Sequence, residues 1–110
     1  MITTHVLDTS LGRPGSAIAV ELERVDGTTW SLVGGGITDS DGRLRTLTPE
    51  GPVQPGIYRI RFQTGAYFAA LQTEAFFPVV EIQFSVVDGG QHYHVPLLLS
   101  PFGFSTYRGS

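Results

Sequence analysis

Apolar and polar residues alternate along most of this chain. Ile18, Val20 and Leu22 fall on one side of the pattern, and Ala19, Glu21 and Glu23 on the other. Tyr58, Ile60 and Phe62 repeat the arrangement against Arg59, Arg61 and Gln63, as do Val80, Ile82, Phe84 and Val86 against Glu81, Gln83 and Ser85. Side chains of an extended backbone point alternately to opposite faces, so a period of two predicts strands with one buried face. Shorter stretches of the same character are Thr3 to Asp8, Thr29 to Val33, Arg43 to Leu47, Gln91 to Leu99 and Phe104 to Tyr107. The pattern predicts about eight strands.

Turn residues stand between them: Gly12-Arg13-Pro14-Gly15, Asp26-Gly27, Gly34-Gly35-Gly36, Asp41-Gly42, Pro52 to Gly56 and Asp88-Gly89-Gly90. Each supplies the glycine, proline or aspartate that a tight reversal uses. One stretch breaks the alternation. Gly65 to Gln72 holds Ala66, Ala69, Ala70 and Leu71, which suits two helical turns near 65–72. Short strands at regular spacing predict an all-β sandwich or barrel. No repeat, linker or low-complexity segment divides the sequence, and its 110 residues suit a single domain over 1–110.

Composition narrows the function. Net charge is −3 with no basic run, which excludes the counterion-displacing surface that nucleic acid requires. No apolar run approaches the roughly 20 residues that span a bilayer. The start, Met1-Ile2-Thr3-Thr4-His5, lacks the charged and apolar regions of a signal peptide. The expectation is a cytoplasmic protein. A periplasmic placement stays open, because a signal peptide removed before position 1 would leave no trace. Cysteine is absent, which excludes disulfides and thiolate chemistry. All seven basic residues are arginines, so Schiff-base chemistry through lysine is excluded as well.

The groups left for chemistry near neutral pH are His5, His92 and His94 with carboxylates, hydroxyls and arginines. On a strand, His92 and His94 point to the same face, and His5 lies on the same side of its strand as Thr3 and Leu7. Two imidazoles on one face handle protons or bind a metal, and three make a zinc site conceivable. A surface or satisfied core histidine is the plainer reading of each on spacing alone. Arg43, after the Asp41-Gly42 turn, is either a solvated surface residue or a fixed cation for a developing oxyanion. Tyr107 stands near the end of the chain, where fraying is the default.

Several separate motifs, taken in order, resemble the 5-hydroxyisourate hydrolases of the transthyretin-like family. They are Thr3-Thr4-His5-Val6-Leu7-Asp8 with Gly12-Arg13-Pro14-Gly15, and Thr38-Asp39-Ser40-Asp41-Gly42-Arg43. Phe76-Phe77-Pro78, then His92-Tyr93-His94-Val95-Pro96-Leu97-Leu98-Leu99-Ser100-Pro101, then Tyr107-Arg108-Gly109-Ser110 complete the set. The resemblance covers essentially the whole chain. Phe104 stands where the family often has tyrosine, a conservative change.

That resemblance implies a transthyretin-like eight-stranded β-sandwich with one short helix near 65–72, assembled as a homotetramer. It implies hydrolysis of 5-hydroxyisourate in urate catabolism, by attack of water on the ring C6 carbonyl and opening of the N1–C6 bond. It assigns catalysis to His5, Arg43 and His94, and substrate contact to Tyr107 and Ser110, with no metal and no cofactor. It gives His94 a direct role and His92 a lesser one. Transthyretin itself, the thyroid-hormone carrier on the same fold, has lysine, glutamate and two threonines where this chain has His5, Arg43, His94 and Tyr107. A carrier of small aromatic ligands is the alternative expectation. A purely structural sandwich module is a third.

Overall fold

The computed structural model describes all residues, 1–110. In chain order the elements are β1 (Ile2–Asp8), β2 (Arg13–Pro14), β3 (Ala19–Asp26), β4 (Thr29–Ile37), β5 (Arg43–Leu44) and β6 (Gly56–Phe62). They continue with α1 (Thr64–Ala70), β7 (Val80–Val86), β8 (Tyr93–Ser100) and β9 (Gly103–Thr106). One sheet runs β2-β1-β8-β9, with β5 on the same edge of β1 as β2; the other runs β4-β3-β6-β7. Every pairing is antiparallel except that of β1 with β8, which is parallel.

The sheets meet over the side chains that the alternation assigns inward. Val20, Leu22, Tyr58, Ile60 and Phe62 are buried from one sheet, with Ile18 just ahead of β3, and Ile2, Val6, Val95, Leu97 and Leu99 from the other. Each fully buried aliphatic or aromatic side chain contributes about 1.5–3 kcal/mol relative to exposure. No helix is long and apolar enough to cross a membrane.

All eight expected strand regions carry a strand, and the helix expected near 65–72 is α1. A ninth strand, β2, arises within the Gly12 to Gly15 segment: Arg13 and Pro14 pair with Asp8 and Leu7. Gly34-Gly35-Gly36, read as a turn from composition, is instead the far half of β4. Close approach explains these glycines. A Cβ at Gly34 would stand 1.9 Å from the Leu47 carbonyl oxygen, and one at Gly36 would stand 2.9 Å from Leu44 Cδ1. Glycine lets the segment around β5 lie against β4. The reversal comes later, where the Asp39 carboxylate accepts from the backbone N–H of Asp41 and of Arg43.

Asp8, fully buried at the end of β1, ties the helix to the sheet. Its carboxylate accepts from Ser10 N–H, Ser10 O–H, Leu11 N–H and, at 2.7 Å, the Tyr67 hydroxyl on α1. Burial would raise this carboxyl, but the hydrogen bonds from Ser10, Tyr67 and Leu11 outweigh it and hold Asp8 below the ordinary value of 3.8. Tyr67 is pushed up to about 12 by burial and by the same bond. Tyr67→Phe should therefore cost about 1–3 kcal/mol by leaving a buried charged acceptor short of a donor. A depressed carboxyl contributes stability that persists down through the unfolded value and is lost as pH falls through the folded one. The melting-temperature gap between Tyr67→Phe and the parent should be full near pH 7 and close only below pH 3.8.

Candidate active site

The parallel register of β1 on β8 sets Thr3 opposite His94 and His5 opposite Pro96, while β5 sets Arg43 opposite His5. Residues paired across neighbouring strands share a face. Thr3, His5, His94 and Arg43 therefore share the face of this sheet that points away from the core, while Ile2, Val6 and Val95 point inward.

Hydrogen bonds fix the rings. The Thr3 hydroxyl oxygen lies 2.8 Å from His94 Nδ1 and 2.7 Å from His92 Nε2. His92 stands just before β8 and is exposed, and His94 is half-buried. His5 Nε2–H donates to the Asp41 carbonyl at 2.9 Å, which leaves Nδ1 of the neutral ring as an acceptor.

The last residues fold back along β8. Gly109 N–H donates to the His94 carbonyl at 2.8 Å. Arg108 donates to Gln91 Oε1 at 2.8 Å and lays its guanidinium over the Tyr93 ring, 4.3 Å from the centroid. A Cβ at Gly109 would stand 2.7 Å from His94 Cδ2, so only glycine fits against this ring without displacing it.

A polar cavity of about 250 Å³ opens here, and its walls include Thr3, Arg43, Arg45, His92, His94 and Ser110. It brings together three of the residues expected from sequence: Arg43, His94 and Ser110. His5 faces the same side, across β5 from Arg43, without forming a wall of the cavity. Tyr107 is elsewhere. It sits just past β9, 57% exposed, in an apolar cavity of about 280 Å³ shared with Ile82 and Phe84 of β7. Sequence reading gave no role to Thr3 or Arg45. The period of two placed Thr3 on the face of His5, but threonine is so common in strands that nothing set it apart.

Burial lowers the pKa of His94 below the ordinary 6.5, and the neighbouring charges of His5, His92, Arg43 and Arg45 push the same way. His94 is therefore neutral at pH 7, a free base among guanidinium groups. Such a site can take a proton from water and stabilise an oxyanion. No group of three His, Cys, Asp or Glu side chains is placed to hold a metal ion.

The model of the HIUase/Transthyretin family matches residues 2–109. The 5-hydroxyisourate hydrolase of Salmonella dublin is 43% identical over 110 residues, covering 100% of this chain and 81% of that protein. Klebsiella pneumoniae 5-hydroxyisourate hydrolase superposes with a TM-score of 0.86 at 36% identity, over 99% of this chain and 92% of that one. Sea bream transthyretin in complex with thyroxine superposes with a TM-score of 0.92 at 30% identity, over 98% of this chain and 93% of that one. Backbone shape follows the carrier as closely as the hydrolase, so the side chains at the site must separate the two activities.

Gly109→Ala tests how the chain end holds His94. The added methyl must push the ring, since the closest contact is with Cδ2. The His94 imidazole resonances in NMR spectra should shift while the melting temperature stays within about 1–2 °C, as for a surface change of about 0.5 kcal/mol or less. Unchanged His94 resonances would show that the contact does not hold the ring.

Proposed function

The chain belongs to the HIUase/Transthyretin family, and from that premise we propose that it hydrolyses 5-hydroxyisourate. The product is 2-oxo-4-hydroxy-4-carboxy-5-ureidoimidazoline, formed in purine (urate) catabolism. One observation carries this reading: a neutral imidazole, His94, and a guanidinium, Arg43, open into the same polar cavity.

Water is a poor nucleophile at neutral pH and needs a base. His94, kept neutral by burial, takes the proton as water attacks the ring C6 carbonyl. The bond to oxygen forms, the carbonyl becomes an oxyanion, and the Arg43 guanidinium stabilises it with a charge fixed in place beforehand. The N1–C6 bond then breaks and N1 takes up a proton. His5, its Nε2–H committed to Asp41, presents Nδ1 to the same face and orients water or substrate. Ser110 contributes hydroxyl contacts from the cavity wall.

Tyr107 enters through assembly, and the proposed assembly is a homotetramer. The edges β7 and β9 are unpaired on one side, and they border the cavity that holds Tyr107. Phe76, Phe102 and Phe104 are exposed nearby on the chain. Open edges with apolar rims suit closed, two-fold association. The carrier alternative has the transthyretin-like backbone in its favour. A cavity with two arginines and two histidines suits a polar, reacting substrate better than an aromatic passenger.

The direct test follows the absorbance of freshly generated 5-hydroxyisourate against a buffer blank. Decay above the blank at micromolar protein is expected, and matching traces would defeat the assignment. His94→Ala, Arg43→Ala and His5→Ala should each lower turnover by about 10²–10⁴, with the fold intact by circular dichroism. A chelator should leave the rate unchanged.

The acid limb of kcat/KM reports the base in the free enzyme. Because His94 is lowered, activity should persist as pH falls to 6.5 and be lost only below it. An acid limb above 6.5 would remove His94 from that role. Light scattering should find four chains per particle, and a fully active monomer would contradict the assembly.

A further inference from the structure

One hydroxyl stands between two imidazoles. Thr3 Oγ1 is 2.7 Å from His92 Nε2 and 2.8 Å from His94 Nδ1, and Thr3 is 3% exposed. The ring centroids are 6.3 Å apart, so the rings communicate through this oxygen rather than by direct contact. A hydroxyl carries one proton and donates to one ring; the other neutral ring must then donate its own N–H to the oxygen. The two tautomers are thereby locked together. In one state His94 Nδ1–H donates to Thr3, Thr3 donates to His92 Nε2, and His94 Nε2 is a bare lone pair. In the reverse state His94 Nε2 carries a proton and cannot act as a base.

We propose that Thr3 is a positioning residue that sets the tautomer of His94 and couples it to His92, so that the two imidazoles act as one proton-carrying unit. The surroundings favour this division of labour. Burial, together with His5 on β1, His92, Arg43 on β5 and Arg45, disfavours an imidazolium at His94. His92 is exposed, so a proton passed to its ring meets no desolvation by burial. Gly109 closes the Cδ2 side of the His94 ring while Thr3 holds the Nδ1 side, which fixes the direction of Nε2.

The kinetic part rests on the hydrolytic reading above. His94 Nε2 takes a proton from water as the oxygen–C6 bond forms. The Nδ1 proton of His94 passes to Thr3 Oγ1, and the proton of Thr3 passes to His92 Nε2. His94 is then neutral and His92 is the imidazolium, with N–H on both nitrogens. When the N1–C6 bond breaks, the three transfers run backwards and N1 receives the proton from His94 Nε2. Proton count and charge balance, and the starting tautomers are restored.

The test uses the full chain labelled with 15N and two variants. Thr3→Val keeps the shape of a β-branched strand residue and removes the hydroxyl; Thr3→Ser restores it. Long-range 1H–15N spectra of the parent should show both His92 and His94 protonated on Nδ1, the minority tautomer of free histidine. Thr3→Val should return both to Nε2–H, and Thr3→Ser should keep the parent pattern. Kinetically, Thr3→Val should lower kcat by about 10-fold or more with KM little changed, as loss of a tautomer-orienting partner does. Thr3→Ser should recover most of kcat.

His94 protonated on Nε2 in the parent, or unchanged tautomers in Thr3→Val, would overturn the coupling. A Thr3→Val enzyme with the parent's kcat and pH profile would overturn the relay. A parent without hydrolase activity would defeat the functional reading alone, because the spectra judge the coupling without substrate.

Discussion

The parallel register of β1 on β8 is the constraint from which the site follows. It sets Thr3 opposite His94, and because β5 pairs with the other edge of β1, it sets Arg43 beside the same row. A slip of one residue would turn Thr3 and His5 into the core and bring Ile2 and Val6 out to water. Burial of Ile2 and Val6 at 0% exposure holds the register. The core thus aims the chemistry: the force that packs one face of β1 decides which side chains meet on the other. Asp8 secures the far end of the strand by tying it to α1 through Tyr67.

Transthyretin sharpens the point. A backbone that superposes on the sea bream protein with a TM-score of 0.92 does not by itself specify a hydrolase. Here the row on the outer face consists of imidazoles, a hydroxyl and guanidinium groups. Burial and neighbouring positive charge keep His94 unprotonated at neutral pH. The same positive charge favours a developing oxyanion. One electrostatic arrangement therefore serves both halves of the proposed reaction.

Much of the fold was legible as alternation, because a half-buried strand writes its burial into every second residue. Ile18, Val20 and Leu22, and Tyr58, Ile60 and Phe62, are buried as that pattern requires. Glycine misled where its purpose was close approach: Gly34 to Gly36 continue β4 because the segment around β5 lies against them. Arg13 and Pro14 pair with β1 inside a segment that composition marks as a turn. The resemblance named His5, Arg43, His94, Tyr107 and Ser110, and the single chain gathers Arg43, His94 and Ser110 in one cavity. Tyr107 points into another, because it leaves β9 on the side of β7. Thr3 carried no signal of its own; its position between two imidazoles depends on a pairing 91 residues distant in sequence, which no local pattern records.

If the register of β1 on β8 builds the proposed substrate site, ligand should bind on the outer face of that sheet. A crystal structure of the protein with urate, a stable relative of the substrate with the same fused rings, tests it most directly. Urate is expected in the cavity walled by Thr3, Arg43, His92, His94 and Ser110, its six-membered ring within hydrogen-bonding reach of Arg43 and His94 Nε2. Urate bound instead in the apolar cavity between β7 and β9, with the His94 cavity empty, would contradict it.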